Sequence, residues 1–276
     1  MIKNNIERIK KVTPQEEKNI CQDYLSGIAG EKLIKKYNIP QTNLYRLLKT
    51  NNIDIIPENR KQYKLKNENM FEKIDSRDKA YILGFLYADG CNYNNQLIRL
   101  SLQEKDKEIL EKMSKIVFKS ERPLLFEKSK RKNVQNQYSL IICGNKVSSD
   151  FSKLGIVPRK TFKIKFPTFL REEFISHFIR GYFDGDGCLY ISKRNQGYIS
   201  IAGTYNLCCS IQNIISQLGV NSRVKQQKNI FILSFNGNIQ VRNFLKWLYK
   251  DSNLFLRRKY DKYQKLIKIH EQIRRH

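Results

Sequence analysis

The chain has 276 residues, with 52 Lys and Arg against 26 Asp and Glu, giving a formal net charge of +26. That length suggests about two domains, and a hydrophobic content of 40%, with 15 Tyr and 15 Phe, suffices for packed cores and argues against global disorder. A pI near 9.8 points to a polyanionic partner, nucleic acid before a membrane surface.

The N-terminal stretch Met1 to Lys11 is polar and mixed in charge, with neither the apolar core of a signal peptide nor transit character. No apolar run approaches the roughly 18 to 20 residues that a spanning helix needs. The expectation is no membrane partner and a cytoplasmic chain, or one inside an organelle that makes it. Six scattered cysteines without a C-x-x-C read as small buried hydrophobes kept reduced rather than as a zinc site.

Residues 1–53 read as a small all-α helix-turn-helix domain. Thr13 and Glu16 form a capping-box pattern around Pro14, and Ile20, Tyr24 and Leu25 form a buried stripe before Ser26-Gly27 ends the first helix. A second helix from Ala29 to Tyr37 buries Leu33, Ile34 and Tyr37. After Asn38-Ile39-Pro40 a third, Gln41 to Lys49, is placed to enter a major groove. It would present Gln41, Thr42, Asn43, Tyr45, Arg46 and Lys49 to bases and phosphates. Residues 54–75, rich in Lys, Asn and Glu, read as a linker.

Beyond the linker lies an internal duplication. Gly84-Phe85-Leu86-Tyr87-Ala88-Asp89-Gly90 recurs 97 residues later (181 minus 84) as Gly181-Tyr182-Phe183-Asp184-Gly185-Asp186-Gly187. After each copy the pattern repeats as two strands, a helix, two strands and a helix. The first half has Gln96–Gln103, Lys105–Val117, Leu124–Lys130, Gln137–Cys143 and Lys146–Leu154, after a short strand near Cys91–Tyr93. The second has Leu189–Arg194, Tyr198–Ala202, Leu207–Leu218, Arg223–Gln227, Ile230–Phe235 and Ile239–Tyr249. The fold class is therefore α+β, in tandem αββαββα repeats over 76–167 and 168–276.

Each duplicated segment begins as an apolar helix. Gly84 with Ala88, and Gly181 with Gly185, leave a bare strip on each helix that lets two backbones approach. Gly90 and Gly187 suit a left-handed helix terminus. Asp89 and Asp186 both fall in a last helical turn, where a carboxylate faces the negative end of the helix dipole. Pairing the helices brings two carboxylates and two negative helix ends together, which calls for a cation. Mg²⁺ fits hard oxygen ligands of this kind, with Mn²⁺ as substitute and the backbone of Ala88 and Gly185 as further ligands.

At these residues the sequence resembles the LAGLIDADG homing endonucleases, with Ile82–Gly90 and Ile179–Gly187 as the two signature copies and the resemblance covering roughly residues 75 to 270. The resemblance implies a monomer with pseudo-twofold symmetry, paired motif helices at the interface, and saddle-shaped sheets lying in the major groove of double-stranded DNA with a long specific target. It further implies that Asp89 and Asp186 bind metal and direct hydrolysis of one strand each, with Lys160 and Lys259 supporting the solvent network and Gln103 a polar position of the same shell. Arg180, at a motif start, reads as a solvated helix edge, and His177 as a partly buried helix residue.

Outward strand positions that would contact DNA are Arg99, Ser101, Gln103, Ser192, Arg194, Arg223, Lys225 and Gln227. The tail from Arg257 to His276 has eight Lys and Arg against two acids, giving +6, and its stripe of Tyr260, Tyr263, Leu266, Ile267 and Ile273 should dock on the domain. The expected function is site-specific double-strand cleavage. The alternatives are a non-cleaving DNA-binding regulator and a maturase acting on intron RNA.

Overall fold

The computed structural model describes residues 12–25, 28, 30–53, 64–93, 96–120, 123–129 and 135–273. Expectations for Ser26-Gly27, Ala29, residues 54–63 of the linker and the last three residues lie outside them, while within the rest of the linker Met70 and Phe71 are buried. The chain divides into two compact units, Met1–Leu65 and Lys66–His276.

The first unit packs α1 (Pro14–Leu25), α2 (Gly30–Tyr37) and α3 (Gln41–Thr50) around Ile20, Tyr24, Leu33, Ile39, Leu44 and Leu48. The capping box closes reciprocally. Glu16 Oε2 accepts from the Thr13 amide at 3.0 Å, and Thr13 Oγ1 accepts from the Glu16 amide at 3.2 Å. Asp23 ties α1 to α2 by accepting from Lys36 Nζ and Tyr37 Oη, each at 2.7 Å. Asn38 takes the left-handed φ of 50° that ends α2, and Pro40 stands just before α3.

The second unit begins with α4 (Arg77–Asp89), capped by Ser76, whose hydroxyl accepts from the Lys79 amide at 3.3 Å. β1 (Gly90–Tyr93), β2 (Leu97–Gln103), α5 (Lys107–Val117), β3 (Leu125–Glu127), β4 (Gln137–Cys143) and α6 (Asn145–Lys153) complete the first repeat. The second runs α7 (Glu172–Asp186), β5 (Gly187–Ile191), β6 (Gly197–Gly203), α8 (Tyr205–Ser216), β7 (Arg223–Gln227), β8 (Ile230–Asn236), α9 (Asn238–Tyr249) and α10 (Arg257–Ile273). Each repeat has one antiparallel sheet, ordered β1-β2-β4-β3 and β5-β6-β8-β7. The strand alternation sends Ile98, Leu100 and Leu102, and likewise Leu189, Ile199, Ile201 and Leu233, into the core under the helices.

The two halves meet where α4 lies against α7, the most extensive contact between elements among the described residues. A β-carbon on Gly84 would collide with the Phe178 carbonyl, one on Gly181 with the Tyr81 carbonyl, and one on Gly185 with Ala88. Position numbers rise together along both helices, so the pair is parallel and both C-termini emerge at the same end. The bare strips therefore do what their spacing predicts.

Several expectations need correction. Gly90 and Gly187 are not left-handed but extended, with φ of −70° and −96°. What excludes a side chain there is proximity: a β-carbon would sit 2.6 Å from the Leu86 carbonyl oxygen or 2.5 Å from that of Phe183. β5 stops at Ile191, so Ser192 and Arg194 are in the hairpin turn, where the Ser192 hydroxyl accepts from the Gln196 amide at 3.1 Å. Asn43 faces into the three-helix bundle, one turn before Leu47, and is buried rather than presented. Of the six cysteines only Cys208 is buried, while Cys91 and Cys188 are exposed.

Arg180 is the largest departure. It is 1% exposed, and its guanidinium donates to the carbonyls of Leu254 (2.8 Å) and Leu248 (3.0 Å) and meets His177 Nδ1 at 2.9 Å. Carbonyls left open at the end of α9 and in the loop before α10 account for its burial.

Candidate nuclease centre and nucleic-acid interface

Asp89 and Asp186 are the last residues of α4 and α7. Parallel packing makes them neighbours: a β-carbon on Gly185, next to Asp186, would lie 3.0 Å from Asp89 Oδ2. Both residues are open to solvent on one side while protein surrounds them on the others. Burial, and then the charge of Asp186, hold Asp89 up at about 6. Burial also raises Asp186, opposed first by a hydrogen bond with the Tyr182 hydroxyl and then by Lys160 and Lys259.

Sequence reasoning does not single out Tyr182 as a site residue. It lies one turn before Asp186, on the same helix face, and that i, i+4 spacing is the signal that could have found it. Its hydroxyl donates to the Ala202 carbonyl at 2.8 Å, and its counterpart in the first copy is Phe85, which has no hydroxyl, so the two carboxylates differ in their surroundings.

The two lysines are brought to the helix ends, but not equivalently. Lys160 is buried and donates to the Ala88 carbonyl at 3.0 Å, leaving two ammonium hydrogens without a hydrogen-bond partner among the described residues. Burial lowers its pKa, opposed by Asp186 and Asp89. Lys259 is also buried, and it donates to three carbonyls, those of Phe183, Asp184 (2.9 Å) and Gly187. All three of its hydrogens are thereby occupied, and burial brings it down to about 8. Gln103 is exposed at the end of β2 and hydrogen-bonds neither carboxylate.

Asp184, the second copy's counterpart of Tyr87, lies entirely inside. Its Oδ2 accepts from Tyr81 Oη at 2.7 Å and from the Leu256 amide at 2.8 Å, and burial raises it to about 6. Tyr87 instead donates to the Leu154 carbonyl at 2.5 Å. Both residues fasten the motif helix to the segment that follows the repeat's last helix.

On either side lie the open sheet faces. The first presents Cys91, Tyr93, Arg99, Ser101, Gln103 and Glu127, as the register requires, with Ser139 on the same face but buried beneath Arg99. The second forms a groove of about 630 Å³ whose lining includes Tyr190, Tyr198, Ser200, Arg223, Lys225 and Ser234. Gln227 is exposed at the end of β7. In the first unit Thr42, Tyr45, Arg46 and Lys49 form one exposed stripe of α3, with Gln41 donating to Tyr45 Oη at 2.8 Å.

The basic tail helix docks as its stripe predicts, with Leu266 buried and Tyr260 and Tyr263 packed against Phe255 and Tyr249. The tail does not turn all its charge outward. Besides Lys259, Arg258 Nε reaches both oxygens of Asp106 at 3.1 Å, and Lys262 donates to the Leu189 carbonyl.

Among the described residues there is no group of three or more His, Cys, Asp and Glu arranged to hold a metal ion. The two aspartates still suit a hard cation that keeps several water or phosphate ligands, which is how Mg²⁺ binds. No described helix is long and apolar enough to cross a membrane.

Residues 173–248 match the sequence family described as LAGLIDADG-like domain. No curated protein matches the chain. Among solved structures, the chain is similar to the I-LtrWI LAGLIDADG homing endonuclease bound to target DNA, at 14% identity over 75% of this chain and 92% of that one, with a TM-score of 0.47. It is also similar to I-SmaMI bound to an uncleaved DNA target with calcium ions (13%, 71% and 91%, 0.46) and to full-length DUF199/WhiA from Thermatoga maritima (15%, 75% and 67%, 0.46).

Proposed function

We propose that the chain is a site-specific, divalent-metal-dependent double-strand DNA endonuclease of the LAGLIDADG homing type, acting as a monomer. The observation that carries this reading is the pair of parallel helices ending side by side in Asp89 and Asp186, flanked by two open sheet faces. One duplicated carboxylate per half suits one scission per strand. Retention of both carboxylates favours cleavage over a non-cleaving regulator on the same fold.

Asp89 and Asp186 would hold Mg²⁺, which when bound supplies charge stabilisation at the phosphate and an ionised water at neutral pH. The carboxylates would orient a water at the phosphate, and the burial and mutual repulsion that raise Asp89 would be relieved by a cation. Lys160, with two hydrogens unpartnered among the described residues, would donate to a phosphate oxygen or to an ordered water. Lys259 has none free, so its part is to hold the end of α7 against α10. Sheet faces in the major groove and the exposed stripe of α3 would lengthen the recognised site. A DNA substrate suits a protein of the cytoplasm or of an organelle interior.

The test is cleavage. A bound duplex should first be selected from a random pool and then incubated with Mg²⁺ and the purified chain. Asp89→Asn and Asp186→Asn are each expected to slow scission of one strand by at least about 10³-fold while binding persists. Tight binding with no cleavage by the unmodified chain would sink the nuclease reading. Full cleavage by the double variant would sink the site assignment.

A further inference from the structure

The open face of the first sheet carries an ion pair that the carboxylate centre does not use. Arg99 of β2 donates from Nε to Ser101 Oγ (2.9 Å) and Ser139 Oγ (3.2 Å), and from Nη2 to Ser139 Oγ (3.0 Å) and to Glu127 Oε2. The two serine hydroxyls are themselves 2.8 Å apart. Three strands thus fix one guanidinium, whose side chain is 24% exposed beside a glutamate that is 40% exposed. Arg99 Nη1 and Glu127 Oε1 have no protein partner among the described residues.

Resting on the DNA reading above, we propose that Arg99 and Glu127 together read one G·C base pair through its major-groove edge, with Ser101 and Ser139 as positioning residues. That edge offers two acceptors, guanine N7 and O6, beside one donor, the cytosine N4 amino group. Nη1 supplies two hydrogens and Oε1, on the carboxylate paired with the same guanidinium, an acceptor, which matches that edge's two acceptors and one donor. An A·T pair would set a thymine carbonyl and methyl group against the carboxylate or the guanidinium. Because the bonds to Ser101, Ser139 and Glu127 hold the side chain before DNA arrives, little rotamer freedom is lost on binding.

The second sheet differs in kind. Arg223 and Lys225 stand on its open face with no side-chain hydrogen bond or ion pair among the described residues. They suit phosphates, which accept charge from any direction. The two half-sites would therefore be read unequally, with base identity fixed more firmly under the first sheet.

The experiment selects duplexes from a randomised pool with the full chain, without cleavage-supporting metal. It is repeated with Arg99→Ala, Arg99→Lys, Glu127→Gln, Ser139→Ala and Lys225→Ala, each checked for an unchanged melting curve. The unmodified chain should select a motif with a firm G·C column that Arg99→Ala loses, with about a tenfold fall in affinity for the selected site. Arg99→Lys should fail to restore it, Glu127→Gln should admit A·T there, and Ser139→Ala should blur the same column. Lys225→Ala should weaken all sequences alike. An unchanged motif with Arg99→Ala would make Arg99 a phosphate contact and overturn the proposal, as would loss of a column other than G·C. If the unmodified chain selects no motif at all, the DNA reading fails first, in an arm that contains no variant.

Discussion

His177 is a buried neutral base whose titration bears on stability. Burial, and then the Arg180 guanidinium, push it down to about 4 from 6.5. Between those values the unfolded chain binds a proton that the native state refuses, so stability falls as pH drops from 6.5 towards 4. By pH 5 this one group costs roughly 2 kcal/mol. His177→Gln keeps an acceptor for Arg180 and should remove that slope, measured as the difference between urea unfolding at pH 7 and pH 5. An unchanged slope would show His177 titrating normally. The aspartates of the duplicated motif are legible in the sequence because repetition singles them out. Arg180 is not, since a charged residue on an amphipathic helix reads as solvated until the carbonyls of Leu248 and Leu254 are seen to need a donor.

Glycine strips decide how the elements meet. A methyl group on Gly84 or Gly181 has nowhere to go, because the opposing atom is a backbone carbonyl in a helix that cannot yield locally. Gly84→Ala is expected to destabilise the second unit by about 3 kcal/mol and lower its melting temperature by roughly 10 °C, read by calorimetry. A loss of 1 °C or less would mean that the helices are less tightly apposed. The four-apart spacing of small residues is enough to predict this contact. It does not reveal that Gly90 and Gly187 are extended, since a glycine after a helix fits a left-handed cap and a crowded corner equally well. Strand ends at Ile191 and Glu127 are similarly hidden, because polar residues at a hairpin continue the alternation for one or two positions beyond the last ladder bond.

Across the whole molecule the charge of +26 is distributed over surfaces with different tasks. Some of it is internal: Arg180, Lys160 and Lys259 hold helix ends, and Arg258 joins the tail helix to Asp106 of the first repeat. What remains outside should bind DNA with release of counterions. The affinity is expected to drop by about 10³ between 50 and 200 mM salt if six phosphates are contacted, followed by fluorescence anisotropy. Lys225→Ala should make the log–log slope shallower by about 0.9. A salt-independent affinity would remove phosphate contact as the main attraction. Net charge points to the class of partner from the sequence alone. It does not show which basic residues face inward, because that depends on where helices terminate in space.

The bond from Tyr81 to Asp184 also bears on how this duplicated chain can assemble. Each glycine strip is self-complementary, so a lone repeat has the surface for a twofold pair with its own copy. In such a pair of second repeats, Asp184 would face Phe178, the counterpart of Tyr81, and each copy would bury a carboxylate facing a phenyl ring in place of that hydroxyl donor. The first repeat has Tyr87 at the corresponding place and carries no such penalty. Divergence at two positions, Tyr81 against Phe178 and Tyr87 against Asp184, has thus given the two halves a preference for each other over their own copies.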